Sequence, residues 1–339
     1  MVRTLALVCC GVWCLQAPVA GQEPAKVFGL EQTKAFGPVR VTEPWESIVV
    51  TEAVPNSDIP AEITLLETVD GLFTPIGIRR PKGRGPFPIV LFFTGNGGSG
   101  LAHVRDYINN RAYTMERFLK EGYAVGFLNY RAESWFTYTV APPLRLGRQQ
   151  ANQATNRPVL EYDDLMTIVE YVKRLPYVDP NRVGLVGNSH GGGMILRAAA
   201  EGIGARAAIV SEPDASEFLQ MKEAVFAADN PIYRTVESVA PHLDKEVAME
   251  RIRRITLPIL LMNRDQDELQ GLFETVYVWM KEAGKTITRV SFDHPVHGYI
   301  IRVPRDETGV YRPDRIQLEA IQMALDFFKA QMPSEHSTR

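Results

Sequence analysis

From Ile63 onward the chain alternates two kinds of apolar pattern. Short apolar runs occur at Ile63 to Thr68, Phe73 to Arg79, Ile89 to Phe93, Ala124 to Asn129, Val183 to Val186, Ala207 to Val210, Pro258 to Met262 and Ile287 to Phe292. Their length and β-branched or aromatic content predict strands. Tyr113 to Lys120, Asp163 to Leu175, Leu272 to Ala283 and Ile316 to Phe328 carry the helical period instead. In the second of these, Leu165, Ile168, Val169, Val172 and Leu175 recur every three or four positions, so one face of that helix is buried. Asp70-Gly71 sits between the first two strands, where a hairpin needs positive φ. The alternation that follows predicts an α/β fold with a mostly parallel central sheet and helices on both faces. Nearly continuous apolar strands fit burial on both sides.

Ser189 falls at the sharpest transition in this pattern. It lies in Gly187-Asn188-Ser189-His190-Gly191, directly after the apolar run Val183 to Val186 and directly before the small-residue stretch Gly191 to Ala200. Strand, tight turn and helix in this order make a nucleophile elbow, with flanking glycines that let neighbouring elements approach.

Four further segments complete the organisation. Residues 22–60, rich in Pro, Glu, Val and Thr, read as an extended lead-in over the domain surface. One α/β domain occupies residues 61–332, and residues 333–339 form a tail. Within the domain, a charge-rich helical insert at residues 211–256 is expected as a partial cap over the sheet's carboxyl edge, where ligands bind in open α/β sheets. The irregular segment Ala132 to Arg157 is a candidate for another wall of the same pocket.

Composition removes several function classes. The 339 residues are 45% hydrophobic and 23% charged, ordinary values for a globular chain. A net charge of -3 leaves no basic excess to neutralise phosphates, so nucleic acid is not expected as a partner. Residues 1–21 start with Arg3, continue through the apolar stretch Leu5 to Leu15 and leave through small residues to Gly21, the pattern of an export signal. As a helix, Leu5 to Leu15 would reach about 16 Å at ~1.5 Å per residue. That is far short of a ~30 Å hydrocarbon core, so no membrane span is expected. Cys9, Cys10 and Cys14 all lie in this segment, which leaves the mature chain without a thiol nucleophile. A secreted or periplasmic destination follows from the signal, with cleavage expected after Gly21 and Ala20 as the second choice.

A serine hydroxyl is a weak nucleophile until a base takes its proton and a carboxylate fixes that base's tautomer. Two acids, Asp265 and Asp267, follow the strand Pro258 to Met262, and two histidines, His294 and His297, follow the strand Ile287 to Phe292. The order serine, acid, histidine is that of α/β-hydrolases. Asn129-Tyr130-Arg131, Asp179-Pro180-Asn181-Arg182-Val183, Ser189-His190-Gly191-Gly192 and His297-Gly298-Tyr299 together resemble the catalytic domain of prolyl oligopeptidase and dienelactone hydrolase relatives, over about Ile63 to Met332. The resemblance implies an α/β-hydrolase fold and selects Asp267, three residues after a position usually glycine and here Arg264. It also selects His297, the histidine followed by glycine and an aromatic residue. Asp265 and His294 then read as solvated loop side chains.

The resemblance also implies an oxyanion hole. One donor is the His190 amide; the other comes from Thr94-Gly95-Asn96-Gly97-Gly98, similar to the family's His-Gly-Gly-Gly loop with Thr94 and Asn96 as departures. The Asn96 amide is expected there, with Gly97 as the alternative.

Rival readings are weaker. Gly95 to Gly100 also fits G-x-G-x-x-G, but the strand after it ends in Asn129-Tyr130-Arg131 without an acid for a ribose, and the glycine run opens no obvious helix. His294, His297, Asp293 and Asp267 suit zinc by type, yet a catalytic pair plus loop residues explains them more simply. No cofactor and no metal are expected, and a noncatalytic binding protein is disfavoured by the complete triad. Peptidase relatives carry a propeller before the catalytic domain, for which residues 22–60 leave no room. The expected substrate is therefore a carboxylic ester, small-molecule or acylated carbohydrate, with small peptides or amides as the alternative.

Overall fold

The computed structural model describes residues 50–68, 73–95, 100–130, 157–222 and 231–333. Nine strands form one sheet: β1 (Val50–Glu52), β2 (Ala61–Glu67), β3 (Phe73–Arg79), β4 (Phe87–Phe93), β5 (Ala124–Leu128), β6 (Val178–Asn188), β7 (Ala207–Ser211), β8 (Ile259–Arg264) and β9 (Ile287–Phe292). Their order is β1-β2-β3-β5-β4-β6-β7-β8-β9. The pairs β1 to β2, β2 to β3 and β3 to β5 are antiparallel, and every other pair is parallel. β1 falls inside the lead-in, whose last part is thus an edge strand of the sheet; residues 1–49 lie outside the described residues.

The helices are α1 (Leu101–Asn110), α2 (Tyr113–Lys120), α3 (Arg157–Lys173), α4 (His190–Ala200), α5 (Lys245–Arg254), α6 (Gln270–Glu282) and α7 (Arg315–Gln331), besides shorter turns. The period-2 alternation of β4 divides them into two layers. Ile89, Leu91 and Phe93 enter a core with Leu165, Val169, Ile195, Ile252 and Leu272, which belong to α3, α4, α5 and α6. Val90 and Phe92 enter the opposite core with Val104, Phe118, Ile321 and Phe328 from α1, α2 and α7. The sheet is therefore buried on both faces, as its continuous apolar strands require.

Helix α1 corrects one expectation. The glycine run does open a helix, with Gly100 at its N-cap and Val104, Tyr107 and Ile108 as its buried face. That three-and-four spacing is present in the sequence but short, and the polar residues around it obscure it.

The described part of the insert after β7 packs against α4 and α6. Ala248 and Ile252 of α5, with Phe218, Leu219, Tyr233, Val239 and Leu243, join the core shared with α4 and α6. A Cβ on Gly271, at the start of α6, would meet Thr235 O at 2.3 Å, which fixes how close the insert lies to that helix. The candidate pocket wall, up to residue 156, lies outside the described residues, as does 223–230. Among the described residues no helix is long and apolar enough to cross a membrane.

Candidate active site

Parallel strands β6, β7, β8 and β9 end side by side, with Asn188 opposite Ser211, Ser211 opposite Met262, and Arg264 opposite Phe292. Each of the candidate side chains leaves this rim within a few residues of a strand end.

Ser189 stands between β6 and α4 with φ 53° and ψ -124°. A residue with a Cβ held in this region costs on the order of 1–3 kcal/mol, and the surrounding structure must over-determine it. Here it does. The Ser189 N–H donates to Ser211 O at 2.9 Å, and the Ser189 carbonyl accepts from Gly193 N at 3.1 Å and Asp214 N at 2.9 Å. The glycines that follow allow the close approach: a Cβ on Gly191 would stand 2.5 Å from Thr94 O, and one on Gly193 2.0 Å from Asp214 O.

The loop after β4 rests on this turn. Gly95 donates its N–H to Asn188 Oδ1 at 3.2 Å, and a Cβ on Gly95 would lie 3.1 Å from the Ser189 Cβ. At the other end of the loop, Gly100 N–H donates to Asn129 Oδ1 at 2.8 Å. Asn96 and Gly97 themselves lie outside the described residues. His190 is the first residue of α4, so its amide belongs to the helix-terminal donors without an i-4 partner. Its imidazole faces away toward α3, with Nε2 2.5 Å from Glu161 Oε2 and the ring edge-on to Tyr130.

Asp267 and His297 meet. His297 Nδ1 lies 3.0 Å from Asp267 Oδ2, and Asp267 is fully buried. The same oxygen accepts from Arg264 Nη2 at 2.8 Å, while Oδ1 accepts from Leu269 N at 2.8 Å. Burial alone would push the Asp267 carboxyl up; the hydrogen bonds from His297 and Leu269 and the charges of His297 and Arg264 outweigh it and hold the group below the ordinary carboxylate range. For His297 burial works toward a lower pKa, and the Asp267 hydrogen bond with the negative charge of Glu212 and Asp267 overcomes it, leaving a raised value. The histidine loop also touches the nucleophile turn, because a Cβ on Gly298 would meet Asn188 Nδ2 at 2.8 Å.

The two residues set aside in favour of Asp267 and His297 are placed elsewhere. Asp265 accepts from the Ser291 hydroxyl on β9. His294 is not solvated: it is buried, accepts Val296 N–H at Nδ1 (3.1 Å) and faces Asp314 Oδ2 with Nε2 at 2.8 Å. Packing of α7 beneath the loop explains the difference, since Asp314 is that helix's N-cap. Asp293 is exposed, so the set Asp293, His294, Asp267 and His297 is not gathered into one ligand shell.

Two participants are not singled out by sequence. Glu212, fully buried at φ 47°, accepts Gly298 N–H at 2.5 Å and stands 3.9 Å from His297 Nδ1. Arg264 ties Asp267 to Glu212 at 3.3 Å and Glu268 at 3.2 Å. Burial pushes the Glu212 carboxyl up to about 7. Glu212 follows the strand Ala207 to Val210 by two positions, the same acid-at-a-strand-end signal that marks Asp267, but it opens the insert and is hidden among that segment's other charges. Ligand atoms of Glu212, Asp267 and His297 lie within 4.8 Å of one another. A cation there would compete with the Arg264 guanidinium and with the hydrogen bonds these side chains already make.

A model of the prolyl oligopeptidase family matches residues 149–332, more than half of the chain. The chain belongs to this family. It is 23% identical over 250 residues to the uncharacterized peptidase YuxL of Bacillus subtilis (strain 168), covering 70% of this chain and 35% of that one. The chain thus spans about a third of the length of that curated relative. Among solved structures, the uncomplexed acylaminoacyl peptidase of Pyrococcus horikoshii aligns with TM-score 0.57 and 20% identity, over 82% of this chain and 43% of that one. Thermogutta terrifontis esterase 2, phosphoramylated by tabun, aligns with TM-score 0.53 and 19% identity, over 81% of this chain and 96% of that one. These likenesses bear out the α/β-hydrolase fold. Both a peptidase and an esterase stand among the proteins the chain resembles.

Proposed function

We propose that this member of the prolyl oligopeptidase family is an exported carboxylic ester hydrolase acting through Ser189, His297 and Asp267. The observation that carries the reading is a strained serine between β6 and α4, on the same sheet rim as a buried carboxylate paired with a histidine at 3.0 Å. In this reading His297 Nε2 takes the Ser189 proton as the hydroxyl oxygen attacks the ester carbonyl. Asp267 holds Nδ1–H toward itself and stabilises the imidazolium. The His190 amide and a donor from the loop containing Asn96 and Gly97 hold the oxyanion; one such donor is worth about 2.7 to 4 kcal/mol in the transition state. The imidazolium then protonates the leaving alkoxide, and water enters by the reverse sequence to free the acid.

The Thermogutta esterase and the Pyrococcus peptidase share this fold alike, so paired ester and amide substrates decide between the two bonds. Export rests on residues 1–21. The test is a fluorophosphonate probe followed by parallel panels of nitrophenyl esters and aminoacyl amides. Labelling of the native protein, none of Ser189→Ala, and a loss in kcat of about 10⁴-fold or more in that variant are expected. Retention of most esterase activity by Ser189→Ala overturns the mechanism; higher kcat/KM on the amides overturns the ester assignment.

A further inference from the structure

Two carboxylates, from different strand ends, converge on one imidazole. Asp267 reaches His297 from the loop after β8, and Glu212 reaches it from the end of β7, 3.0 Å and 3.9 Å from Nδ1 respectively. A serine mechanism requires a single acid, so the second needs its own explanation.

Glu212 is costly to keep. An ionisable group with no exposure, in a left-handed backbone region rare for a side chain of this size, incurs both desolvation and strain. Its placement is nonetheless over-determined. Oε2 accepts the Gly298 amide at 2.5 Å, and the Glu212 amide donates to Met262 O at 3.0 Å. Oε1 makes no hydrogen bond and faces Arg264 Nε at 3.3 Å as an ion pair. One oxygen therefore fixes the peptide bond directly after the base, and the carboxylate as a whole keeps capacity to accept another proton donor.

The groups around it are few and opposed in sign. From the end of β8 and its loop come Arg264, Asp267 and Glu268; from the loop after β9 come His297 and Tyr299. Arg264 pairs with all three acids, which allows Glu212 and Asp267 to approach the same ring without mutual repulsion dominating.

We propose that Glu212 is a second acid for the histidine: a positioning residue that anchors the His297-Gly298 peptide, adds its negative charge to that of Asp267 on the imidazole, and takes over Nδ1 when Asp267 is lost. The ring needs to shift by less than an ångström to bring Nδ1 from 3.9 Å to hydrogen-bonding range of Glu212.

This rests on the serine hydrolase reading above, and the experiment separates the two. Asp267→Ala, Glu212→Gln and the double variant are compared by kcat, KM and the pH profile of kcat/KM on a nitrophenyl ester, with fluorophosphonate labelling of Ser189 and thermal unfolding as controls for the fold. Asp267→Ala is expected to lose about 10²-fold in kcat, and the double variant about 10⁴-fold, the cost normally seen when the acid is disabled. Glu212→Gln keeps an oxygen for the Gly298 amide but removes the charge, so the acid limb of its profile moves to lower pH, which a merely structural residue would not cause. A full 10⁴-fold loss in Asp267→Ala alone, or an unmoved acid limb in folded Glu212→Gln, overturns the proposal while leaving Ser189 chemistry intact. If Glu212→Gln fails to fold, Glu212→Asp decides: it keeps the charge and must keep the native acid limb.

Discussion

His297 and Asp267, thirty residues apart in the chain, are held 3.0 Å from one another by three independent supports. The Leu269 amide holds one oxygen of the carboxylate, Arg264 holds the other, and Glu212 holds the peptide that follows the histidine. The pair is therefore organised before any substrate arrives, which is where most of the electrostatic gain of such sites originates.

The first expected consequence concerns pH. His297 must be neutral to accept the serine proton. Burial works to lower its pKa, but Asp267 and Glu212 more than reverse that and raise it above the ordinary histidine value. Activity should therefore fall as pH drops through a midpoint above the ordinary value of about 6.5. A kcat/KM profile whose acid limb lies below that value would contradict the electrostatics described for the site.

Gly193→Ala should destabilise the nucleophile turn. The new methyl would sit 2.0 Å from Asp214 O, in the same residue whose amide donates to the Ser189 carbonyl. Overpacking of this kind costs about 1–3 kcal/mol. A thermal shift of several degrees and a drop in kcat larger than any change in KM are expected, measured by calorimetry and ester kinetics.

Removal of divalent metal should change nothing. The cluster Glu212, Asp267 and His297 has its charge met by Arg264, so prolonged dialysis against a chelator is expected to leave kcat and KM unaltered. Loss of activity restored by added zinc would overturn that reading.

Asp314→Ala should cost stability and activity together. Asp314 caps α7 through Gln317 N at 2.8 Å and pairs with buried His294 at 2.8 Å. Losing such a cap costs about 0.5–2 kcal/mol. Urea unfolding should show a lower midpoint, and the looser loop should lower kcat more than it raises KM.

Export gives a prediction independent of the chemistry. Protein recovered from the periplasm or medium should begin at Gln22, as read by N-terminal sequencing; an intact Met1 there would refute the signal assigned to residues 1–21.

How much of this is legible in the chain differs by element. Long-period helices such as α3 and α7 and the apolar strands β4, β5, β7 and β8 announce themselves because burial on both sheet faces demands uninterrupted apolar runs. The serine turn is legible because only small residues tolerate the backbone contacts made by Gly191 and Gly193. Glu212 is not, since nothing in the order of residues tells that the ends of β7 and β9 lie close enough for its carboxylate to reach Gly298. His294 misleads for a similar reason: its partner Asp314 is twenty positions away on α7. Contacts between strand ends depend on sheet order, and sheet order is a property of the folded chain.

The Asp314 cap carries one more implication. Because α7 is fastened through Asp314 to the loop that presents His297, the proposed hydrolysis depends on that helix staying seated. Trimming, tagging or proteolytic nicking that unseats this last helix would silence turnover with the nucleophile untouched, so an inactive preparation should be checked for an intact carboxyl terminus before its serine is blamed.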